Sequence, residues 1–382
     1  VQTDVCREVT MSVLFDKTSI KGMELKNRLV RSATHEGMAD ANGFPTKQLF
    51  NLYERLAKGG VGLIVTGHSY ISENGKTDNM LGINDDEYIQ RYRELVDHVH
   101  ANGAKIAMQI NHCGRQTTKD MTGTQTIAPS AIRDKMLFDK PRAMTEKEIE
   151  GAIASFGKCA KRVKDSNFDA VQLHGAHGFL INQFLSPLTN RRTDEYGGSI
   201  ENRSRFLLEV YRKVRNTVGP DYPVFIKLNA ADNLDGGLEI DDAVYAAKKL
   251  AEAGIDAIEV SAGTPASGEI GPAREKILKP EREAYNLPLA HRIKEVVNCP
   301  IMVVGGFRSY EVAERTIKDD GMDYIAMARP LIREPDLANR WLQGDRSPAT
   351  CISCNSCFMP GLEEGGIYCV IEKKEREKAA KR

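Results

Sequence analysis

Apolar positions along the chain fall into two alternating rhythms. Short continuous apolar runs read as buried strands, and each is followed by a longer stretch with apolar residues three and four apart, the period of a helix packed on one face. Residues 86–101 carry Ile89, Tyr92, Val96 and Val99 in this way, then Asn102-Gly103 as a helix stop before a strand at 105–110. Thr145-x-x-Glu148 predicts a capping box opening a helix with Ile149, Ile153, Phe156, Ala160 and Val163 on one face, with a strand at 170–174 after it. The unit recurs as helix 241–253, Gly254 and strand 257–260, and again as helix 310–318, Gly321 and strand 324–328.

Eight strands are predicted in all, near 28–33, 62–66, 105–110, 170–174, 223–228, 257–260, 300–304 and 323–328. Their spacing suits βα units, and eight such units with short αβ turns predict an α/β fold, the (β/α)8 TIM barrel. A doubly wound open sheet is the rival. No strand is followed directly by GxGxxG, so the dinucleotide fingerprint is absent. In a barrel, chemistry gathers where strands end. His35, Gly67-His68, Gln109 to Arg115, His174 to His177, Lys227 with Asn229, Gly305-Gly306 and Ala328-Arg329 all fall at such ends. Strand six offers little beyond Ser261 and Gly263.

Charge and length narrow the classes. The 382 residues hold 53 basic and 53 acidic side chains, a balance that argues against nucleic-acid binding and gives no reason to expect an anionic membrane surface. No run of 18 apolar residues exists, and residues 1–10 lack the apolar core of a signal peptide, so a cytoplasmic protein is expected, with Met11 a candidate start. The expected organisation is an extension at 1–11, a barrel at 12–348, a cysteine-rich segment at 349–371 and a charged tail at 372–382, either a solvated helix or a disordered end.

Several strand-end groups suggest chemistry. His174 and His177 stand three apart, and two neutral imidazoles can donate two hydrogen bonds to one oxyanion or polarise one carbonyl. Two loop histidines satisfied by backbone would give the same spacing, and a metal reading is weak without HExxH. Gly305-Gly306 and Ala328-Arg329 follow strands seven and eight, where barrels cradle phosphate on backbone N–H groups. Gln109 matches a flat heterocycle with an N–H beside a carbonyl, and Lys227 would set a positive charge beside a developing anion. Singly, each could equally be structural.

Together they become recognisable. The segment HGAHGFLINQFLSPLTNRRTDEYGGSIENRSRF (174–206) closely resembles the old yellow enzyme family of FMN-dependent NAD(P)H oxidoreductases. LKNRLVRSAT (25–34), KIAMQINHCGR (105–115) and VVGGFRS (303–309) carry the same resemblance, which runs from about Ser12 to Leu342. It implies that Ala33 and Thr34 offer backbone to the flavin, with Gly67 near its edge and Gln109 at its pyrimidine side. It further implies that Lys227 stabilises the reduced anionic flavin, and that Gly306, Ala328 and Arg329, beside Gly305, hold the FMN phosphate. His174 and His177 would bind the carbonyl oxygen of an activated alkene, whose β-carbon takes hydride from flavin N5.

Three departures from the family pattern stand out. Phe179 occupies the position of the usual tyrosine proton donor, which leaves water or another acid; Tyr70, after strand two, is a candidate. Lys227 replaces the commoner arginine. His35 stands where relatives carry Thr or Cys near flavin O4, and implies a non-covalent FMN.

The last feature is Cys351-x2-Cys354-x2-Cys357-x11-Cys369, four thiols within nineteen residues. Four thiolates suit a [4Fe–4S] cluster or zinc, whereas disulfides are out of place in a reducing compartment. CISCNSC resembles the cluster-binding run of 2,4-dienoyl-CoA reductase and trimethylamine dehydrogenase, within the same family. An iron–sulfur cluster is placed first, an empty cysteine-rich loop second and zinc third. The expected protein is therefore a homo-oligomeric ene-reductase that uses FMN and NAD(P)H on a small activated alkene. The alternatives are an iron–sulfur flavoprotein subunit exchanging electrons with a partner protein, and an amine dehydrogenase or demethylase running in the oxidative direction.

Overall fold

The computed structural model describes residues 12–134, 136 and 139–381; the extension expected at 1–11, with Met11, lies outside them. Eight parallel strands close into a barrel: β1 (Leu29–Arg31), β2 (Leu63–Val65), β3 (Lys105–Asn111), β4 (Ala170–Gly175), β5 (Val224–Asn229), β6 (Ala257–Ser261), β7 (Ile301–Val304) and β8 (Tyr324–Met327). Each pairs with the next, and β8 pairs with β1, so no barrel edge is left open. The fold is a (β/α)8 TIM barrel, and all eight predicted strands are present.

The helices follow the predicted rhythm. Tyr88–Ala101 and Glu146–Asp165 bury most of the stripe read from the sequence (Tyr92, Val96 and Val99; Ile149, Phe156, Ala160 and Val163), and the two helices expected at 241–253 and 310–318 form as Ile240–Glu252 and Tyr310–Lys318. The capping box forms in full, with Thr145 Oγ1 accepting from Glu148 N–H at 3.3 Å and Glu148 Oε2 accepting from Thr145 N–H at 2.9 Å. Arg142 beside Glu148 draws that carboxyl down to about 2.

Two cores result. The larger lies between the strands and the outer helices. The smaller fills the barrel's lower interior with Val30, Leu63, Val65, Ala107, Phe225 and Met302 among others. A hairpin absent from the sequence reading, Thr18–Ile20 with Met23–Leu25, turns through Lys21 and Gly22 at positive φ and seals that end with Ile20, Met23 and Leu25. The tail forms an exposed helix, Val370–Ala380.

Candidate active site

Side chains alternate along a strand, so the residue two beyond an inward apolar position also faces the barrel interior. Four strands use this rule to change character towards the C-terminal mouth: Ala107, Gln109, Asn111 on β3; Ala170, Gln172, His174 on β4; Phe225, Lys227, Asn229 on β5; Ala257, Glu259, Ser261 on β6. The lower layer is apolar and the upper layers are polar. Above them opens a cavity of about 340 Å³.

Ala33, Thr34, His35, Gln109, His174, His177, Lys227, Gly306, Ala328 and Arg329 all line this one cavity. Gly67 and Gly305 are not among its lining residues. Gly67 N–H donates to Glu36 Oε1 at 3.2 Å, and a Cβ there would meet Thr34 O at 2.7 Å, so the close approach requires glycine. Gly305 O accepts from Tyr285 N–H. Gly306, at φ 76°, has no room for a side chain against the Tyr285 ring.

Two sequence expectations need correction. Tyr70 does not line the cavity: its strand, Ser69–Tyr70, extends β3's pairing beyond the barrel, and its hydroxyl lies 3.0 Å from that of Tyr88. Burial raises that phenol well above its ordinary range. Strand six, read as chemically sparse, supplies Glu259, which is fully buried. Its Oε1 accepts from Ser32 Oγ at 2.6 Å and lies 3.2 Å from Lys227 Nζ; its Oε2 accepts from Gln172 Nε2 at 2.9 Å. Gln172 Oε1 in turn accepts from Gln109 Nε2 at 2.7 Å. The inward alternation on β4 and β6 is the signal by which Gln172 and Glu259 could have been found.

At the mouth, four imidazoles form a chain with ring centroids 5.1 Å apart (His35–His68), 5.8 Å (His68–His174) and 5.4 Å (His174–His177). Burial, with Lys227 nearby, lowers His177 to about 3, and burial lowers His35 to about 4. His174 and His68 also fall well below their ordinary value, through burial first and neighbouring imidazoles second. All four are neutral at neutral pH. His174 Nδ1 accepts from Ala176 N–H at 3.4 Å, which places its proton on Nε2. His177 adopts the left-handed region (φ 60°), held by Gln116 on its carbonyl and Ser261 at 2.7 Å from its Nε2. Phe179 packs its ring 4.6 Å from His174 and 4.9 Å from His68.

Burial lowers Lys227 against the opposing pull of Glu259. Its ammonium also donates to Ser32 Oγ at 2.8 Å. Arg329, also on the cavity lining, donates to Arg274 O at 2.8 Å and Asn355 Oδ1 at 2.7 Å. A cavity lined by an amide, an ammonium, a guanidinium and largely apolar walls suits a planar heterocycle carrying a phosphate.

The same Arg329 borders a second pocket, of about 20 Å³, lined by Cys351, Cys354, Cys357 and Cys369. Burial pushes the Cys357 thiol up to about 12 and raises Cys351 as well. Among the described residues, no three His, Cys, Asp or Glu side chains are grouped so as to hold a single metal ion.

Fold and site together define a cofactor-binding barrel oxidoreductase. Residues 13–347 match the NADH:flavin oxidoreductase / NADH oxidase family, and the chain belongs to it. FMN and NAD(P)H are the cofactors that membership assigns to the barrel. The chain is 39% identical over 348 residues to the NADH oxidase of Thermoanaerobacter brockii, covering 90% of this chain and 52% of that protein. It is 38% identical over 325 residues to the NADPH dehydrogenase of Halalkalibacterium halodurans, covering 84% and 91%. A solved structure of 2-naphthoyl-CoA reductase with 2-naphthoyl-CoA superposes with a TM-score of 0.87 at 28% identity, covering 94% of this chain and 56% of that one. The chain thus spans about half the length of some of its relatives.

Proposed function

We propose that the barrel reduces activated C=C bonds, in enones, enoates or enoyl thioesters, with electrons from NAD(P)H. The observation that carries this is the pair of neutral imidazoles, His174 and His177, on the cavity that also holds Gln109 and Lys227. Bound FMN supplies hydride chemistry. Gln109 would orient it through the carboxamide oxygen, which accepts no hydrogen bond from the described residues. Arg329 would hold the phosphate and Lys227 would face the ring end that gains negative charge. His174 donates from Nε2 to the substrate's carbonyl oxygen, His177 binds the same oxygen, and the β-carbon becomes electron-poor. The α-carbon then needs one proton. Phe179 has none to give, so solvent water entering the cavity delivers it.

A second reading concerns the cysteines. Four thiols lining one pocket supply the donor set of an iron–sulfur centre, with zinc the alternative the same thiolates would take. Such a centre would exchange electrons with a partner protein. Anaerobic absorption spectra before and after NAD(P)H, followed by an enone, test both readings. Flavin bands that bleach with NAD(P)H and return with the enone support the reductase. Protein that takes up no FMN refutes it. Iron and acid-labile sulfide lost in Cys354→Ser support the cluster, and their absence from anaerobically purified wild type overturns it.

A further inference from the structure

The positive charge at the inner end of the cavity is not free. Lys227 and Glu259 are in register on adjacent strands, and their side chains are 3% and 0% exposed. Ser32 completes a closed triangle, accepting from Lys227 and donating to Glu259. A carboxylate at 3.2 Å in a dry interior cancels most of the field that the ammonium would otherwise project. The carboxylate also sets the sense of the amide chain. Being acceptor-only, it turns the Gln172 amide nitrogen towards itself, so Gln172 Oε1 faces Gln109 and takes its N–H. The Gln109 oxygen is thereby left for the cavity.

We propose that Glu259 is a positioning residue that offsets the charge of Lys227 and so holds the reduction potential of bound flavin low. This rests on the FMN reading above. Two-electron reduction of FMN with uptake of one proton leaves an anionic reduced form, and sulfite addition to the oxidised ring likewise leaves an anion. Both are favoured by net positive charge at this end of the site and resisted by Glu259. A low potential suits delivery of electrons onward to a poor acceptor.

The test is a charge cycle on the FMN-loaded protein, read by midpoint potential and by sulfite titration. Glu259→Gln removes the compensating charge while keeping the side chain's shape. Sulfite affinity should rise about tenfold, and the potential should rise by about 30 mV, the equivalent of tenfold for a two-electron couple. Lys227→Gln should shift both the opposite way. The double variant Lys227→Gln/Glu259→Gln should return close to wild type, because the pair's net charge is zero before and after. An unchanged potential in Glu259→Gln overturns the proposal. So does a double variant as low as Lys227→Gln, which decides the matter even where the single glutamate variant fails to fold. Wild-type protein that takes up no FMN defeats the functional reading instead.

Discussion

Replacing both His174 and His177 with alanine probes the ligand-binding step directly. Both imidazoles are neutral, both line the cavity and both have a ring nitrogen already engaged, His174 by Ala176 N–H and His177 by Ser261. Each therefore has one nitrogen left for a ligand oxygen. A hydrogen bond to a charged group contributes about 1.5–3 kcal/mol, so two to a phenolate contribute about 3–6 kcal/mol. The double variant should then bind a phenolate about 10²- to 10⁴-fold more weakly. Titrating a substituted phenol into FMN-loaded protein and following the flavin spectrum measures this. FMN content should stay unchanged, since Gln109, Lys227 and Arg329 are untouched. Because His177 titrates near 3, binding from pH 5 upward should follow the phenol's own ionisation alone. Affinity within threefold of wild type, or an imidazole-like step between pH 6 and 7, would refute the reasoning.

Other outcomes follow from the same geometry. Phe179→Tyr puts a hydroxyl beside His174 and should speed enone turnover severalfold if proton delivery limits it, measured by single-turnover reoxidation of reduced protein. His112 is buried with Nδ1 accepting from Gly114 N–H and Nε2 3.2 Å from Asn74 Oδ1, and burial lowers it to about 4. The unfolded chain binds that proton first, so about 3 kcal/mol of stability is lost as pH falls from 6.5 to 4, and His112→Gln should flatten this slope in urea melts. Arg31→Met strands Glu36, its buried partner at 2.9 Å, and should cost about 3–5 kcal/mol at pH 7. Burial already raises the Glu36 carboxyl, so its stabilising contribution is lost as pH rises and the penalty should shrink on acidification, as thermal melts at pH 7 and 5 will show.

Periodicity made the barrel legible. Each strand is a compact apolar run and each helix buries one stripe, so position along the chain alone located strand ends and the polar residues there. That was enough to gather Gln109, His174, Lys227 and Arg329. Glu259 and Gln172 were missed because the two-residue alternation was not carried back from the strand ends: Gln172 lies two before His174 and Glu259 two before Ser261, and the register with the neighbouring strands sets them side by side. Tyr70 was misjudged for another reason. Its place after strand two was right, but the chain there continues as strand against β3 and turns the hydroxyl to Tyr88. The hairpin 18–25 was invisible because three-residue strands carry too few alternations to register.

Arg329 is a party wall. One guanidinium faces the large cavity, borders the cysteine pocket and is pinned by Asn355 from the loop between Cys354 and Cys357. Any occupant that tightens that loop fixes the arginine, and by reciprocity any anion that fixes the arginine tightens the loop to the same degree. Were both pockets filled, their loading would be linked in this way. Cells starved of whatever fills the cysteine pocket should yield protein short of flavin as well, with the two deficits rising and falling together from one preparation to the next.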